Sequence, residues 1–451
     1  MGLSKKLAEY IISTSYEDLP VEVVEFTKLC ILDYFGSAIA GADKPPVQII
    51  HNLIQEMGGE EQATLFTGGR SSVLHASLVN GAASHIMELD DIHKGSVIHA
   101  ATVVVPAALA VAEWKNLSGK DLITAVAIGY EVCFRIGEAV TPSHYYYWHN
   151  TATCGTFGAA AATAKLLNLN VEQTIHTLGS AGTQAAGLWQ FIEDGAMSKQ
   201  LHPGKAAMNG VISALLAEKG FTGATQILEG NRGFFRAMSE EFDESKIISG
   251  LGEVFKITEN SFKIYASCRH THPAMDLMID LAQEKSFRVE EVEEIKVGAY
   301  QAAINITNND YPKTQYASKF SLQFCTALAL LKGKGGLDQF TDETLWDEDI
   351  RALMKKVRVE IDHEIEEAYP EKWGSKVEIT LRGGEKIVVQ TEYPKGDPEN
   401  PVTSNDLVDK FMVLANRLPD DKKVVFADSI LNLEKVESIG QFFTSGKLQI
   451  I

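Results

Sequence analysis

The amino-acid sequence predicts a mainly α protein, in which a large all-helical domain carries an inserted, smaller α+β lid domain. Helical patterns fill the chain up to about residue 255, strand-like alternation is confined to the region after it, and helical patterns return beyond a Pro- and Gly-containing linker at 394–401. We therefore predict three segments: 1–258 as the first part of the helical domain, 259–395 as the lid domain, and 396–451 as C-terminal helices that complete the helical domain.

The helical region is predicted from its apolar patterns and its small residues. Segments 71–88 and 152–167 are rich in Ala, Ser and Gly, which lets helices approach one another closely. Segment 98–114 is apolar all round, which indicates a central helix, and Pro106 within it predicts a kink or a junction between two shorter helices. Further helices are predicted at 20–40, 120–138, 171–187 and 205–219.

The lid domain is predicted from two-residue alternation. Val and Ile alternate with charged residues in 355–365, which is typical of a half-buried strand. Residues 375–393 carry the clearest hairpin pattern, with Gly383 and Gly384 at the turn. The other predicted elements of this domain are a strand at 292–300 and helices at 273–285 and 316–332.

Composition excludes several classes of function. The formal net charge of -19 argues against a nucleic-acid partner, since phosphate binding needs clustered Lys and Arg. The 5 cysteines are scattered without a CxxC spacing, so we predict neither disulfides nor a zinc site, and a reducing, cytoplasmic location. No window reaches about 18 uninterrupted apolar residues, so no membrane span is predicted. An anionic substrate would need a local basic patch within this acidic protein.

The first of four stretches that concentrate titratable residues is HIMELDDIHKGSVIH, residues 85–99, between two apolar helices. Its ionisable residues are His85, Glu88, Asp90, Asp91, His93, Lys94 and His99. Buried ionisable groups must be paired or ligated, or must shift their pKa values. The stretch is therefore a candidate site, and a solvated loop between helices is the alternative.

Two further stretches could supply positive charge. His149 precedes a predicted helix start in 145–162, and helix N-termini favour carboxylates. A core histidine with satisfied hydrogen bonds is the alternative there. In 196–210 a basic turn is predicted just before an Ala-rich helix, which would give the patch that an anionic substrate needs, unless it is simply an exposed turn. The basic residues of this turn are Lys199, His202 and Lys205.

The fourth stretch, SFKIYASCRHTHPAMD at 261–276, lies near the predicted domain boundary, where ligand sites are common. Its basic residues are Lys263, Arg269, His270 and His272. Cys268 in the same stretch is more simply explained as a buried, inert thiol than as a nucleophile.

Metal and nucleotide chemistry find little support in the sequence. The 85–99 stretch contains His and Asp, which are usable metal ligands, but the chain has no adjacent His-Asp pair and no HExxH motif. The glycine-containing loops at 68–72 and 229–235 match neither a P-loop nor GxGxxG. We therefore predict no metal and no nucleotide cofactor.

At these stretches the sequence resembles the MmgE/PrpD family, whose members include 2-methylcitrate dehydratase, cis-aconitate decarboxylase and iminodisuccinate epimerase. The likeness runs through MELDDIH, WHNTATCGTFGAAAA, SKQLHPGKAAMNGVISALLAEKGFTGATQILEGNRGFF, FKIYASCRHTHPAMD and YASKFSLQFCTALAL. The resemblance implies a helical domain with an α+β lid, a homodimer, no cofactor, and a small anionic di- or tricarboxylate as substrate.

The resemblance also implies roles for individual residues. Its catalytic set is Asp90, Asp91, His99, His149 and Lys199. Its substrate-binding set is His202, Lys263, Arg269, His270 and His272. Imidazoles titrate near neutral pH, so His99 and His149 are predicted as general base and general acid, oriented by the two carboxylates.

Three positions depart from the pattern of the dehydratase and decarboxylase members. Ile92 stands where those members usually have the Thr of DDTH, Phe324 stands where they often have Tyr, and His99 lies one residue further along. The reaction therefore stays open between 2-methylcitrate dehydration, cis-aconitate decarboxylation to itaconate and, as the alternative, epimerisation of an amino-dicarboxylate such as iminodisuccinate. The rivals from other classes are a metal-dependent hydrolase and a non-enzymatic helical scaffold.

Overall fold

The computed structural model describes residues 2–284 and 287–444. It divides the chain into two compact units, which we call the helical unit (Met1–Asn260 with Thr403–Ile451) and the mixed unit (Ser261–Val402). The sequence placed these limits at 258 and 395. The helical unit is almost entirely α, and the main sheet lies in the mixed unit, which confirms the predicted fold class.

In the described part of the chain, twelve α-helices and four short strands precede or reach residue 261. Up to residue 260 the helices are α1 Leu3–Ser13, α2 Val21–Gly41, α3 Pro45–Met57, α4 Val73–His85, α5 Ala101–Lys115, α6 Gly119–Val140, α7 Asn150–Leu166, α8 Val171–Gly182, α9 Phe191–Asp194, α10 Ser198–Glu218, α11 Phe234–Met238 and α12 Ser245–Ile248. The short strands in and at the end of this region are β1 Ala63–Thr64, β2 Arg70–Ser71, β3 Ile92–His93 and β4 Asn260–Ser261.

The mixed unit then contains α13 His272–Glu284, β5 Val292–Ala299, α14 Gln301–Thr307, α15 Gln315–Ser318, α16 Leu322–Lys332, α17 Asp342–Leu345, α18 Glu348–Met354, β6 Val357–Ile361, α19 His363–Ala368, β7 Ser375–Leu381 and β8 Lys386–Thr391. The chain returns to the helical unit with α20 Ser404–Leu414, α21 Asp420–Leu431 and α22 Ile439–Thr444. Within the described residues, no helix is long and apolar enough to cross a lipid bilayer.

The core of the helical unit is built around α5, which is buried along nearly its whole length and packs against α4, α7 and α10. Small residues bring these helices together, as the sequence predicted. A Cβ atom placed on Gly204 of α10 would lie 2.1 Å from the carbonyl oxygen of Leu78 on α4, so the two backbones are in direct contact at their crossing. This crossing fixes the position of the first turns of α10.

Two prolines lie inside helices instead of at their ends. α5 continues through Pro106 as one helix, so the alternative of a junction between two shorter helices is wrong. α10 begins at Ser198 and passes through Pro203, so the predicted basic turn is in fact the start of the helix. Proline removes one intrahelical hydrogen bond, and the close packing of these buried helices outweighs that loss.

The sheet of the mixed unit has the strand order β6-β5-β7-β8. β5 pairs with β6 in parallel and with β7 antiparallel, and β7 and β8 form the predicted antiparallel hairpin. Ile295 lies opposite both Val357 and Ile379, and alternate residues of β7 are buried. The helices α13 and α16 pack on each other, and α13 also packs on β7. The predicted helix 316–332 is interrupted, because Ser321 caps a new helix, α16.

Candidate active site

His85 and Asp90 form a buried carboxylate–imidazole pair at the end of α4. His85 is the last residue of the helix, and the chain turns back over it within five residues. The Asp90 Oδ2 atom lies 2.6 Å from His85 Nδ1, and both side chains are completely buried. A carboxylate at this distance favours a proton on Nδ1, so His85 donates this hydrogen bond.

Asp91 holds the loop between α4 and α5 in place. Its carboxylate accepts hydrogen bonds from the Tyr130 hydroxyl at 2.6 Å, the Asn260 amide at 2.7 Å and the Ala101 backbone N–H at 3.1 Å. Burial raises the pKa of Asp91 to about 7. Its backbone carbonyl in turn accepts a hydrogen bond from Nδ1 of His99 at 2.6 Å. Asp91 therefore positions His99 through its main chain.

Lys199 and Glu88 form a buried ion pair between α10 and the same loop. Lys199 lies in the first turn of α10, and both side chains are less than 5% exposed, at 4% and 2%. Glu88 has a φ of 59°, in the left-handed region that non-glycine residues seldom adopt. The loop thus takes an unfavourable backbone conformation where it places the Glu88 carboxylate against the Lys199 ammonium.

His149 and His202 are joined through their ring nitrogens. His149 is the N-cap residue of α7, as the sequence predicted, and its Nδ1 lies 3.1 Å from Nδ1 of His202 on α10. One of these nitrogens carries the shared proton, so the tautomer of one ring fixes that of the other.

Both of these rings are kept neutral by their surroundings. Burial lowers the pKa of His149 well below its usual range, and the neighbouring basic side chains of His202, His85 and Lys199 act in the same direction. Burial likewise lowers the pKa of His202 to about 4. Neutral imidazoles are able to accept protons, which is what a general base requires.

The four imidazoles form a row, which we call the imidazole row. The ring centroids are separated by 5.1 Å from His99 to His85, by 5.7 Å from His85 to His149, and by 5.3 Å from His149 to His202. Aromatic rings line it: Trp189 lies 5.0 Å from the His149 ring, and Phe191 lies 5.4 Å from the His202 ring. Lys199 and Glu88 belong to the same cluster, because Lys199 acts electrostatically on both His149 and His202.

The structure brings the predicted residues of the helical unit into one place. These are Asp90, Asp91, His99, His149, Lys199 and His202. His85 and Glu88 complete the cluster, although the sequence reasoning did not include them in its site. The available signal was their position within the ionisable stretch 85–99. His93 of that stretch points elsewhere: its ring stacks on Phe134, and its Nδ1 bonds the Ser96 hydroxyl.

The predicted residues of the mixed unit have partners of their own. Arg269 pairs with the buried Asp397 carboxylate and donates to two backbone carbonyls of the 394–395 segment. His272 accepts from Arg269 at 3.0 Å through Nδ1 and bonds the Ser267 carbonyl at 3.3 Å through Nε2.

His270 and Lys263 are also buried in this unit. The Nδ1 of His270 bonds the Tyr300 hydroxyl at 2.6 Å, its ring stacks on Trp373, and burial lowers its pKa to about 3. The Lys263 side chain is fully buried. The roles of these residues and of Arg269 and His272 in substrate binding stay predictions.

The two departures in residue type are both apolar and buried. Ile92 lies in β3 between Asp91 and His93, and only 4% of it is exposed. Phe324 is completely buried in the first turn of α16, with its ring 6.0 Å from that of Phe340. Neither side chain can replace the hydroxyl group that the resemblance led us to expect.

His85, Asp90 and His99 also have the composition of a metal site, with ligand atoms within 4.8 Å of one another. Nδ1 of His85 already donates to Asp90, and Nδ1 of His99 donates to the Asp91 carbonyl. A metal ion bound through these two nitrogens would have to replace both hydrogen bonds. The absence of a metal cofactor stays a prediction.

The fold and the candidate site define a class of protein. It is mainly helical and contains a buried cluster of imidazoles, carboxylates and an ammonium group. The model of the MmgE/PrpD N-terminal domain matches residues 5–246, and that of the MmgE/PrpD C-terminal domain matches residues 265–435. The chain belongs to the MmgE/PrpD family, which confirms the resemblance seen in the sequence.

Individual relatives are distant but align over most of the chain. Cis-aconitate decarboxylase of Aspergillus terreus is 26% identical over 465 residues, which cover 97% of this chain and 94% of that protein. Cis-aconitate decarboxylase of Homo sapiens is 22% identical, with 97% and 92% covered. The mitochondrial 2-methylcitrate dehydratase of Yarrowia lipolytica is 24% identical, with 64% and 59% covered.

Proposed function

We propose that this chain is a cofactor-independent lyase that acts on a small di- or tricarboxylate by histidine-mediated acid–base catalysis. Its relatives named above are decarboxylases and a dehydratase, which supports the lyase class. The observation that carries the proposal is the buried cluster of the helical unit, in which the imidazole row and Lys199 are grouped around the carboxylates of Glu88 and Asp90.

The charge balance of this cluster favours an anionic ligand. Five groups that can carry positive charge share two carboxylates, and burial, with these neighbouring basic groups, lowers the pKa values of His149 and His202. A carboxylate of the substrate would supply the missing negative charge and would raise both pKa values. Binding should therefore be accompanied by proton uptake, which prepares an imidazolium as a general acid.

Each proposed reaction transfers one proton to or from a carbon atom of the substrate. In decarboxylation, the carbon–carbon bond to CO2 breaks, the electron pair remains on the substrate, and an imidazolium delivers the proton to it. In dehydration, a neutral imidazole removes a proton beside a carboxylate, and the hydroxyl group leaves with a second proton as water. His149 is the proposed proton carrier because it is held neutral and its tautomer is fixed by His202.

The other predicted roles belong to the same proposal. Lys199 would bind a substrate carboxylate in exchange for Glu88 and neutralise charge that develops on it. Asp91 would keep His99 in position. Basic groups of the mixed unit are proposed to bind the remaining carboxylates: Lys263, Arg269, His270 and His272. Closure of this unit as a lid, a homodimer and a cytoplasmic location stay predictions.

The proposal is tested by incubating the purified protein with cis-aconitate, 2-methylcitrate and iminodisuccinate. Products are followed by NMR in heavy water and by the alkene absorbance. Formation of itaconate with CO2, or of an alkene with water, supports a lyase. Exchange of a carbon-bound proton for deuterium without loss of CO2 or water would instead identify an epimerase.

Replacing His149 by Ala should abolish turnover and leave the fold intact. His51→Gln is the control, because His51 lies on α3 and bonds the Thr67 hydroxyl outside the cluster. Wild-type turnover by His149→Ala would refute the assignment of His149. Activity that is lost on chelation and restored by a divalent metal would refute the cofactor-free mechanism.

A further inference from the structure

His85 differs from the other members of the imidazole row. Its ring is fully buried, yet one of its nitrogens has no hydrogen-bond partner among the described residues. It is fully buried at the end of α4, and its Nδ1 is bound to Asp90 at 2.6 Å. Its Nε2 is also buried and makes no hydrogen bond to any of the described residues. Half of the hydrogen-bonding capacity of this ring is therefore unused within the protein.

Another buried histidine shows what a structural role looks like in the same chain. His144 bonds the Met238 carbonyl through Nδ1 and the Thr153 hydroxyl through Nε2. Buried polar atoms in proteins are nearly always satisfied, so the exception at His85 requires an explanation.

The position of the ring places it within the candidate site. His85 lies between the two imidazoles that the proposed reaction uses, with its centroid 5.1 Å from that of His99 and 5.7 Å from that of His149. The Asp90 carboxylate fixes its tautomer and stabilises a positive charge on it. A positive charge at this distance from His149, in surroundings that exclude water, opposes the protonation of His149.

We propose, building on the proposed function, that His85 and Asp90 form a positioning pair that acts through His149. The pair keeps the imidazole of His149 in its unprotonated, base-competent form until the substrate carboxylates arrive. His85 itself transfers no proton to the substrate in this scheme. Asp90 therefore acts on His149 through His85, and its Oδ2 also lies 3.4 Å from Nδ1 of His99.

The same groups determine how the pair responds to pH. The charged and titratable groups around the row come from three sides. They are Asp90, His99 and Glu88 in the loop, His149 on α7, and Lys199, His202 and Lys205 on α10. The basic groups oppose protonation of His149, whereas the Asp90 carboxylate faces Nδ1 of His85 at 2.6 Å and Nδ1 of His99 at 3.4 Å. Neutralising His85 should therefore make His149 easier to protonate.

The test replaces His85 by Asn, which keeps a donor toward Asp90 and removes the titratable ring. The acidic limb of kcat/KM against pH, which reports the essential base in the free enzyme, should move up by about one pH unit. We expect kcat to fall at least tenfold while KM changes less than threefold. Asp90→Asn provides an independent variant with the same expected direction, since it withdraws the charge that stabilises a cationic His85.

His144→Asn is the matched control, because it removes a buried histidine outside the row. Its acidic limb should coincide with that of the wild type. An unchanged limb in folded His85→Asn and Asp90→Asn would overturn the proposal and leave His85 as a packing residue.

NMR titration of ¹⁵N-labelled histidines gives a readout that needs no substrate. In the free full-length protein, the pKa of His149 should be higher in His85→Asn than in the wild type, and unchanged in His144→Asn. If the wild type turns over none of the named polycarboxylates but His149 still shifts, the proposed function fails and the coupling stands. If the wild type is active and His149 does not shift, the positioning pair fails alone.

Discussion

Histidine has two different uses in this chain, and the hydrogen bonds of each ring distinguish them. His144 has a donor and an acceptor at its two nitrogens, and burial lowers its pKa to about 4. It is neutral in the folded protein at every pH at which the protein is expected to work. The imidazole row instead places the neutral rings of His149 and His202 near the buried Lys199–Glu88 pair, where a bound ligand can change their protonation.

The stability of the protein should decrease on acidification, in part because of His144. Its folded pKa is about 4 and its unfolded pKa is 6.5, so between these values the unfolded chain binds the extra proton. The stabilising contribution is present above pH 6.5 and is lost as the pH falls toward 4. Between pH 7.5 and pH 5 the loss is about 2 kcal/mol.

Urea unfolding of wild type and His144→Asn at these two pH values measures the loss. The wild type should lose about 2 kcal/mol more than the variant on acidification. An equal loss in both proteins would contradict the neutral buried state of His144. Asp91 acts in the opposite direction, because its pKa is raised to about 7 and its stabilising contribution is lost as the pH rises through that value. Only the difference between the two proteins is therefore diagnostic.

The contributions of the buried Lys199–Glu88 pair to stability and to activity should be separable by mutation. Lys199→Met leaves the Glu88 carboxylate buried without the Lys199 ammonium, which costs roughly 3–5 kcal/mol of stability. The double variant Lys199→Met/Glu88→Gln removes both charges and should recover most of that stability. Activity should be lost in both, because the ammonium is the proposed partner of a substrate carboxylate.

Thermal or urea unfolding and turnover of the two variants provide the measurement. Recovery of activity together with stability in the double variant would show that Lys199 serves the fold only. The Lys28 pair with Glu434 offers a control in the same unit, because it is a partly buried ion pair outside the cluster. Lys28→Met should reduce stability and leave the kinetic constants close to those of the wild type.

The sequence identified the ionisable stretch of the candidate site but not which of its side chains point inward. His149 was predicted correctly at a helix start because a helix N-terminus follows local rules. Glu88 and His85 were not selected, because their orientation depends on the positive φ of Glu88 and on the turn that returns Asp90 to His85. Such a turn depends on contacts between segments, which residue patterns along the chain do not encode.

At the scale of elements, the crossing of α4 and α10 determines where the cluster lies. α4 ends at His85, and α10 presents Lys199 and His202 in its first turns. The sequence rules for Pro-Gly predicted a turn before the helix, and the helix in fact runs through it. Gly204 follows Pro203 because the α4 backbone leaves no room for a side chain there.

Gly204→Ala should therefore destabilise the protein although alanine is the better helix former. The gain in helix propensity is about 1 kcal/mol. The new Cβ would lie 2.1 Å from the carbonyl oxygen of Leu78, which is a backbone atom that cannot rotate away. Forced repacking of this kind costs about 1–3 kcal/mol or more, so the clash outweighs the propensity.

Gly204→Ala should reduce activity as well as stability. Separating α10 from α4 displaces Lys199 and His202 from the loop, so we expect kcat/KM to fall more than tenfold in Gly204→Ala. Gly383→Ala is the matched control, because a Cβ there meets nothing within 4 Å. A Gly204→Ala protein as stable and active as the wild type would show that the two helices can move apart without consequence.

At the scale of the whole molecule, the net negative charge of the protein and the buried basic groups of the helical unit act on a ligand at different distances. The net charge of -19 belongs to the entire chain, whereas Lys199 and His149 are buried. Salt screens exposed charges over a Debye length of about 8 Å at physiological ionic strength and affects buried pairs much less. The two contributions can therefore be separated by varying the salt concentration.

The fold class belongs to the same scale, and it was predictable because it depends on averages over long segments. The helical pattern of apolar and small residues recurs in many segments before residue 255, and the two-residue alternation recurs along the hairpin at 375–393. Single misassigned elements, such as the interrupted helix at 316–332, do not change that average. The arrangement of α4, α7 and α10 around α5 depends on individual contacts such as the one at Gly204, which the averages do not contain.

Raising the ionic strength from about 10 mM to about 150 mM should increase kcat/KM for an anionic substrate. Screening weakens the long-range repulsion by the acidic protein, and the buried contacts with Lys199 and the imidazole row are nearly unaffected. The effect should be larger for a trianion than for a dianion, which competition by tricarballylate and succinate can measure without assuming the natural substrate. Sodium chloride and sodium sulfate at equal ionic strength should agree, since the effect is one of screening. A decrease of kcat/KM with salt would show that the approach to the cluster is itself cationic, with Lys and Arg side chains outweighing the acidic field.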